Sequence, residues 1–224
     1  MNLRTKFLFL GILCMVLLPA RSAFGDDLKT VLQKLNVAAK NFHSITANVE
    51  LETIQKDPIP DTDVQTGVAY YERRGNSFEM AAHIHTHNNG PSQKTYMFSD
   101  GAFRISDTGK ESDAKIYNQA AKYESYLMLG FGASGTDLQE KWTITDLGTE
   151  TINGIKTDKL ELVAKDSDVR KTIPKVTIWM DTARAVSLKQ VFDEGGGESR
   201  VCTYTNIKVN QPLPSDAFKF AGGK

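Results

Sequence analysis

Residues 67–85 read GVAYYERRGNSFEMAAHIH, and this stretch decides the fold class. In its second half Phe78, Met80, Ala82 and Ile84 alternate strictly with Glu79, Ala81, His83 and His85. A period of two residues marks a half-buried strand, because successive side chains leave opposite faces of a pleated backbone. Gly67 to Arg73 reads as a second strand, and Gly75-Asn76 between the two supplies the residues of a hairpin turn.

The same signature continues in both directions. Upstream, Ile45, Ala47, Val49 and Leu51 alternate with Thr46, Asn48, Glu50 and Glu52 until Asp57-Pro58-Ile59-Pro60-Asp61 breaks the run. Downstream, Thr95 to Ser99 and Ala102 to Ser106 flank the turn dipeptide Asp100-Gly101. Trp142 to Asp146 follows, with a continuation to Ile152, and Ile155 to Ala164 begins after Asn153-Gly154. Lys175 to Asp181, Val186 to Asp193 and Ser199 to Val209 complete about ten antiparallel strands, with no βαβ rhythm and no linker.

Two segments carry helical spacing instead. Asp26 and Asp27 can cap a helix on which Leu28, Val31, Leu32, Leu35, Ala38, Ala39 and Phe42 recur at steps of three and four. A second helix is expected from Ile116 to about Leu129, ended by the glycine-rich run Gly130 to Gly135. Two helices cannot cover both faces of so large a sheet, so curling the sheet around them is the economical way to hide its apolar face. The expected fold is mainly β: one curved antiparallel sheet forming an incomplete, half-open barrel, with a helical lid over a concave apolar interior that is either filled core or a hydrophobic cavity.

Composition narrows the function. The chain has 224 residues, with 27 Lys and Arg against 27 Asp and Glu, 40% hydrophobic residues and 2 Cys, which suits one globular domain and excludes collagen, coiled coil and a disulfide-stapled miniprotein. Its long uncharged apolar run, Phe7 to Leu18, is 12 residues and too short to cross a bilayer. Arg4 and Lys6 precede this run and Ala23-Phe24-Gly25 follows it, the layout of a secretory signal. Residues 1–25 are therefore expected to be cleaved, leaving 26–224 as a single exported domain. Cleavage removes Arg4, Lys6 and Arg21 and no acid, so 24 basic and 27 acidic groups remain, and nucleic acid is not an expected partner. Cys202 alone is left, with no partner for an intramolecular disulfide, and its strand context predicts a buried small hydrophobe.

The motifs point away from catalysis. Gly130-x-Gly132-x-x-Gly135 matches a dinucleotide fingerprint by spacing, yet it closes a helix instead of following a strand and opening one. His83, His85 and His87 form a comb on one strand that could approach zinc or copper, but extended side chains about 7 Å apart converge poorly on a tetrahedral ion, and a solvated strand face is the preferred reading. No pairing of nucleophile and base is readable, so neither an enzyme nor a cofactor is expected. Aromatic and methionine side chains, by contrast, are plentiful along the strands and suit a core or an adaptable pocket.

Several pieces of the chain, taken in order, resemble the LolA-like outer-membrane lipoprotein carrier and lipoprotein-sorting family. They are Asn41-Phe42-His43-Ser44-Ile45-Thr46-Ala47, Gly67-Val68-Ala69-Tyr70-Tyr71, Ser99-Asp100-Gly101, Leu129-Gly130-Phe131-Gly132, Ile152-Asn153-Gly154, Ile178-Trp179-Met180-Asp181, Tyr204 to Asn210 and Phe218-Lys219-Phe220. The resemblance implies a periplasmic carrier that shields lipoprotein acyl chains, loaded by an ATP-driven exporter in the inner membrane and unloaded at an outer-membrane acceptor; balanced charge and the absence of a heptad pattern point to a monomer. Phe78, Met80, Ile178 and Met180 are the expected cavity residues, and Leu127, Met128 and Phe131 the expected lid. A family arginine that latches the lid carries over to Arg74, with Arg73 as competitor, since Gly75 stands where the family often has proline. Two alternatives accompany this reading: a lipid- or lipoprotein-sensing regulatory domain of the same fold, and a metal-binding protein built on His83, His85 and His87.

Overall fold

The structure is a computed structural model and describes residues 27–75, 77–118, 126 and 129–220. The expected signal segment and the lid residues Leu127 and Met128 lie outside these residues.

One antiparallel sheet of twelve strands organises the chain. The strands are β1 (Ser44–Gln55), β2 (Asp61–Arg74), β3 (Ser77–His87), β4 (Gly90–Pro91), β5 (Thr95–Ser99), β6 (Ala102–Ser106), β7 (Lys115–Tyr117), β8 (Trp142–Ile152), β9 (Ile155–Ala164), β10 (Lys175–Asp181), β11 (Val186–Gly195) and β12 (Glu198–Val209). Their order is β7-β6-β5-β3-β2-β1-β12-β11-β10-β9-β8, with β4 attached beside β3. The two ends of this order are β7 and β8, so the sheet is open, as the alternation predicts, and is not closed into a barrel.

Helix α1 (Leu28–Lys40) starts where Asp27 accepts a 2.8 Å hydrogen bond from the Thr30 amide, the N-cap that its carboxylate suits. Its buried residues are Val31, Leu32, Leu35 and Ala39, and the first three pack in one cluster with Leu160, Leu162, Val176, Ile178 and Met180 of β9 and β10. This helix therefore fills the concavity over the β8 to β10 half of the sheet. At about 1.5–3 kcal/mol for each large apolar side chain buried, that contact is a main fixed point of the fold.

The expected helix from Ile116 onward is corrected at its start. Ile116 and Tyr117 belong to β7, which pairs Arg104 with Ile116 and Phe103 with Tyr117. Helical spacing at 116, 120, 123 and 127 competes there with the backbone donors and acceptors of β6, and the sheet takes the first two residues. Residues 119–125 lie outside the described part; Tyr126 is helical and buried. Two short helices also stand outside the expected elements. Gly135–Lys141 opens with a capping box between Ser134 and Asp137, and Ser167–Thr172 opens on Asp166.

The glycines of Gly130-x-Gly132-x-x-Gly135 serve close packing. A Cβ on Gly130 would stand 2.4 Å from the Ser187 Cβ, one on Gly132 2.3 Å from the Phe42 ring, and one on Gly135 2.3 Å from the Leu32 carbonyl oxygen. Gly130 and Gly132 also have φ of +84° and +68°, a region that side chains disfavour. Each glycine is explained by a neighbour, with no phosphate required.

Candidate functional site: a concave apolar cavity

The register places one set of side chains on the concave face. Ala47, Ala69, Ala82, Tyr96 and Ile105 are successive partners across β1, β2, β3, β5 and β6, so they form one row on one side of the sheet. The next row along contains Tyr71, Met80, Phe98 and Phe103. On β12, Cys202 and Tyr204 pair with Leu51 and Val49 and share that face.

Where α1 does not reach, this face stays open as a cavity of about 880 Å³. Ile45, Ala47, Val49, Leu51, Ala69, Met80, Ala82 and Cys202 form its floor, while Tyr126, Phe131 and Ile173 stand on the opposite side. The three paired alanines are what make room, because larger side chains at those positions would occupy the cavity itself. One end is closed by a stack in which Tyr71 and Phe78 lie 5.1 Å apart and Phe78 and Phe98 lie 4.8 Å apart, ring centre to ring centre. Phe131 meets Tyr204 edge-on at 4.9 Å. Toward the other end the inward residues turn polar, and Thr53, Gln65, Lys94, Glu194, Glu198 and Arg200 border the opening.

Three of the four charges at this mouth are paired. Arg200 pairs with Glu194 at 2.8 Å and Lys94 with Asp107 at 3.3 Å. Burial presses the Lys94 ammonium toward its neutral form, but Tyr96 and the Asp107 carboxylate outweigh it and hold its pKa above the ordinary lysine value. At the floor, burial pushes the Cys202 thiol up to about 12, so it stays protonated and inert in the neutral range. Cys202 is expected to leave a thiol reagent unreacted at pH 8 in the native protein and to react with it after unfolding. A folded-state pKa raised from 9 to about 12 also means that this thiol's contribution to stability is complete below pH 9 and is lost as pH rises through that interval.

The expected site residues divide between wall and core. Phe78, Met80, Ile178 and Met180 all lie on the concave face, by register with Tyr71, Phe98, Leu160 and Gln190. Met80 and Phe131 line the cavity. Ile178 and Met180 are wholly buried beneath α1, and Phe78 belongs to the aromatic stack, so these three are packed core. Residues that alternation alone does not single out, chiefly Ala47, Ala69 and Ala82, shape the space.

Arg74 occupies the surface. Its guanidinium meets Glu72 and Glu79 and its side chain is 54% exposed. The bridging position belongs to Arg73, which donates to the Ala39 carbonyl at 3.0 Å and to the Gly132 carbonyl at 2.8 Å, tying the end of α1 to the glycine loop. Tyr71 and Arg73, two apart on β2, share the inward side, and this spacing was the signal that distinguishes Arg73 from its neighbour. Arg73→Met removes both hydrogen bonds, although the Ala39 carbonyl keeps the Phe42 amide at 3.4 Å, and is expected to cost about 2 kcal/mol, while Arg74→Ala should stay within about 0.5 kcal/mol; urea denaturation of both variants measures this.

The histidine comb is broken by a bulge. Gly67 pairs with Ile84 and Thr66 with Thr86, so His85 is the extra residue and the alternation changes phase across it. His83 contacts Thr95 and the Ala217 carbonyl, while His87 meets the Asp63 carboxylate from the other face. Among the described residues no three His, Cys, Asp or Glu side chains are grouped to hold a metal ion.

No protein-family model and no curated protein matches the chain. Among solved structures it is similar to MucB, with a TM-score of 0.53 and 13% identity over 88% of this chain and 63% of that one. The complex of Pseudomonas aeruginosa MucA and MucB gives 0.50 and 12% over 87% and 61%. An outer membrane lipoprotein-sorting protein domain from Vibrio parahaemolyticus gives 0.46 and 12% over 86% and 95%. The open antiparallel sheet is a fold similar to that of MucB. The likeness is one of architecture, and the chain spans less than two thirds of the MucB chain. No described helix is long and apolar enough to cross a membrane.

Proposed function

We propose that the protein is a non-enzymatic periplasmic carrier that shields the acyl chains of a lipid or lipoprotein and ferries them from the inner to the outer membrane. The observation that carries this reading is the apolar cavity of about 880 Å³ with its polar mouth, on the concave face of an open sheet. Each methylene removed from water contributes about 0.8 kcal/mol, so an acyl chain has a strong reason to enter. The floor is built from aliphatic, methionine and alanine side chains with few polar anchors, which suits a ligand of variable shape that must also leave. Arg73 holds the glycine loop against α1 and is the proposed latch of the lid formed around Leu127, Met128 and Phe131. Loading by an ATP-driven inner-membrane exporter and unloading at an outer-membrane acceptor complete the proposal.

A second reading is favoured by the architecture shared with MucB, a protein whose structure in complex with MucA is known. In that reading the domain binds the lipid or lipoprotein, reports it to a protein partner and passes nothing on. Lipid transfer separates the two. Protein loaded with a fluorescent phospholipid should lose it to acceptor vesicles within minutes if it is a carrier; retention over hours would overturn the carrier and favour the sensor.

A further inference from the structure

We propose that the cavity is matched to one two-chain lipid, selected by the number of its chains and not by the charge of its head. This deepens the acyl-binding reading and rests on it. The first support is capacity. At about 30 Å³ per small group, the share of a water molecule in the liquid, 880 Å³ holds about thirty carbon-sized groups. That accommodates two chains of about fourteen carbons each, leaves half the space empty around a single such chain, and is too small for three chains of that length.

The second support is that neighbouring space is already filled. The β8 to β10 half of the concavity is packed by α1 on Leu160, Ile178 and Met180, all wholly buried. The opposite end is closed by the stacked rings of Tyr71, Phe78 and Phe98. A third chain would have to displace one of these packed groups, which a well-filled interior resists.

The third support concerns the head. The inward face changes from apolar to polar along β1, β11 and β12, so a lipid enters with its chains on the floor and its head at the opening. There the mouth carries Lys94 and Arg200 with Glu194 and Glu198, both signs together and two of them already paired to each other. Such a rim solvates a polar head of either charge type without selecting one.

The test uses the full mature protein, stripped of lipid in the unfolded state and refolded. Dimyristoyl phosphatidylglycerol, dimyristoyl phosphatidylethanolamine, lysomyristoyl phosphatidylcholine and a tripalmitoyl lipopeptide compete in turn for a bound fluorescent fatty acid, and native mass spectrometry counts the ligands. One dimyristoyl lipid per chain is expected, at least tenfold tighter than the single-chain and three-chain ligands, with the two head groups within threefold of each other. Tighter binding of the three-chain lipopeptide overturns the capacity argument, and a tenfold preference between the two dimyristoyl heads overturns the argument from the mouth. If none of the four displaces the probe or adds mass, the acyl-binding reading itself fails.

Discussion

Ala69→Phe is expected to weaken acyl-chain binding by about two orders of magnitude while leaving the fold intact. Ala69 sits in the middle of the alanine row, paired with Ala47 on one side and Ala82 on the other, and its methyl group faces the cavity. A phenyl ring there projects into space that is open in the protein, so it meets little of the strain that accompanies enlargement of a packed core residue. It occupies the volume of several methylenes of ligand. Displacing four of them, at about 0.8 kcal/mol each, removes about 3 kcal/mol of binding, or about 200-fold. Titration of the stripped protein with a fluorescent fatty acid measures the loss, and thermal unfolding checks the fold. Unchanged affinity in a folded variant would move the binding site elsewhere.

Gly67→Val, in contrast, should act on stability. Gly67 stands at the bulge where β2 meets β3, and a Cβ there would lie 2.0 Å from the His83 carbonyl oxygen and 2.8 Å from the Ile84 Cα. Both are backbone atoms and cannot rotate away, so the central hairpin must open to admit the side chain. The expected cost is about 3 kcal/mol or more, against a total of about 5–15 kcal/mol for a domain of this kind. The control is Gly75→Asn in the turn of the same hairpin. Gly75 has a φ of +61° and nothing within 4 Å of a built Cβ, and asparagine tolerates that backbone, so the change should stay within about 1 kcal/mol. Equal midpoints for both variants in urea would contradict the close approach at Gly67.

The strands and their inward faces were legible in the sequence because period-two alternation reports directly on burial in a sheet with one apolar face. Phe78, Met80, Ile178 and Met180 all come out on the concave side for that reason. Their fates then diverge, because alternation says which face is buried and is silent on what buries it. Ile178 and Met180 meet α1, Phe78 meets two other rings, and Met80 meets open space. The bulge at His85 was equally hidden, since an extra residue changes the phase of a strand without changing its composition. It is this shift that sends His83 and His87 to opposite faces. At Ile116, helical spacing and the demand of β6 for a hydrogen-bonding neighbour point to different structures, and only the assembled sheet decides between them.

The central claim is that the concave cavity holds lipid, and weighing the protein tests it most directly. Stripped wild-type protein and Ala69→Phe would be incubated with phospholipid vesicles, separated from them and measured by native mass spectrometry. The wild type is expected to carry the added mass of one phospholipid and the variant to run bare. A bare wild-type mass, or the same lipid adduct on both proteins, would contradict the assignment.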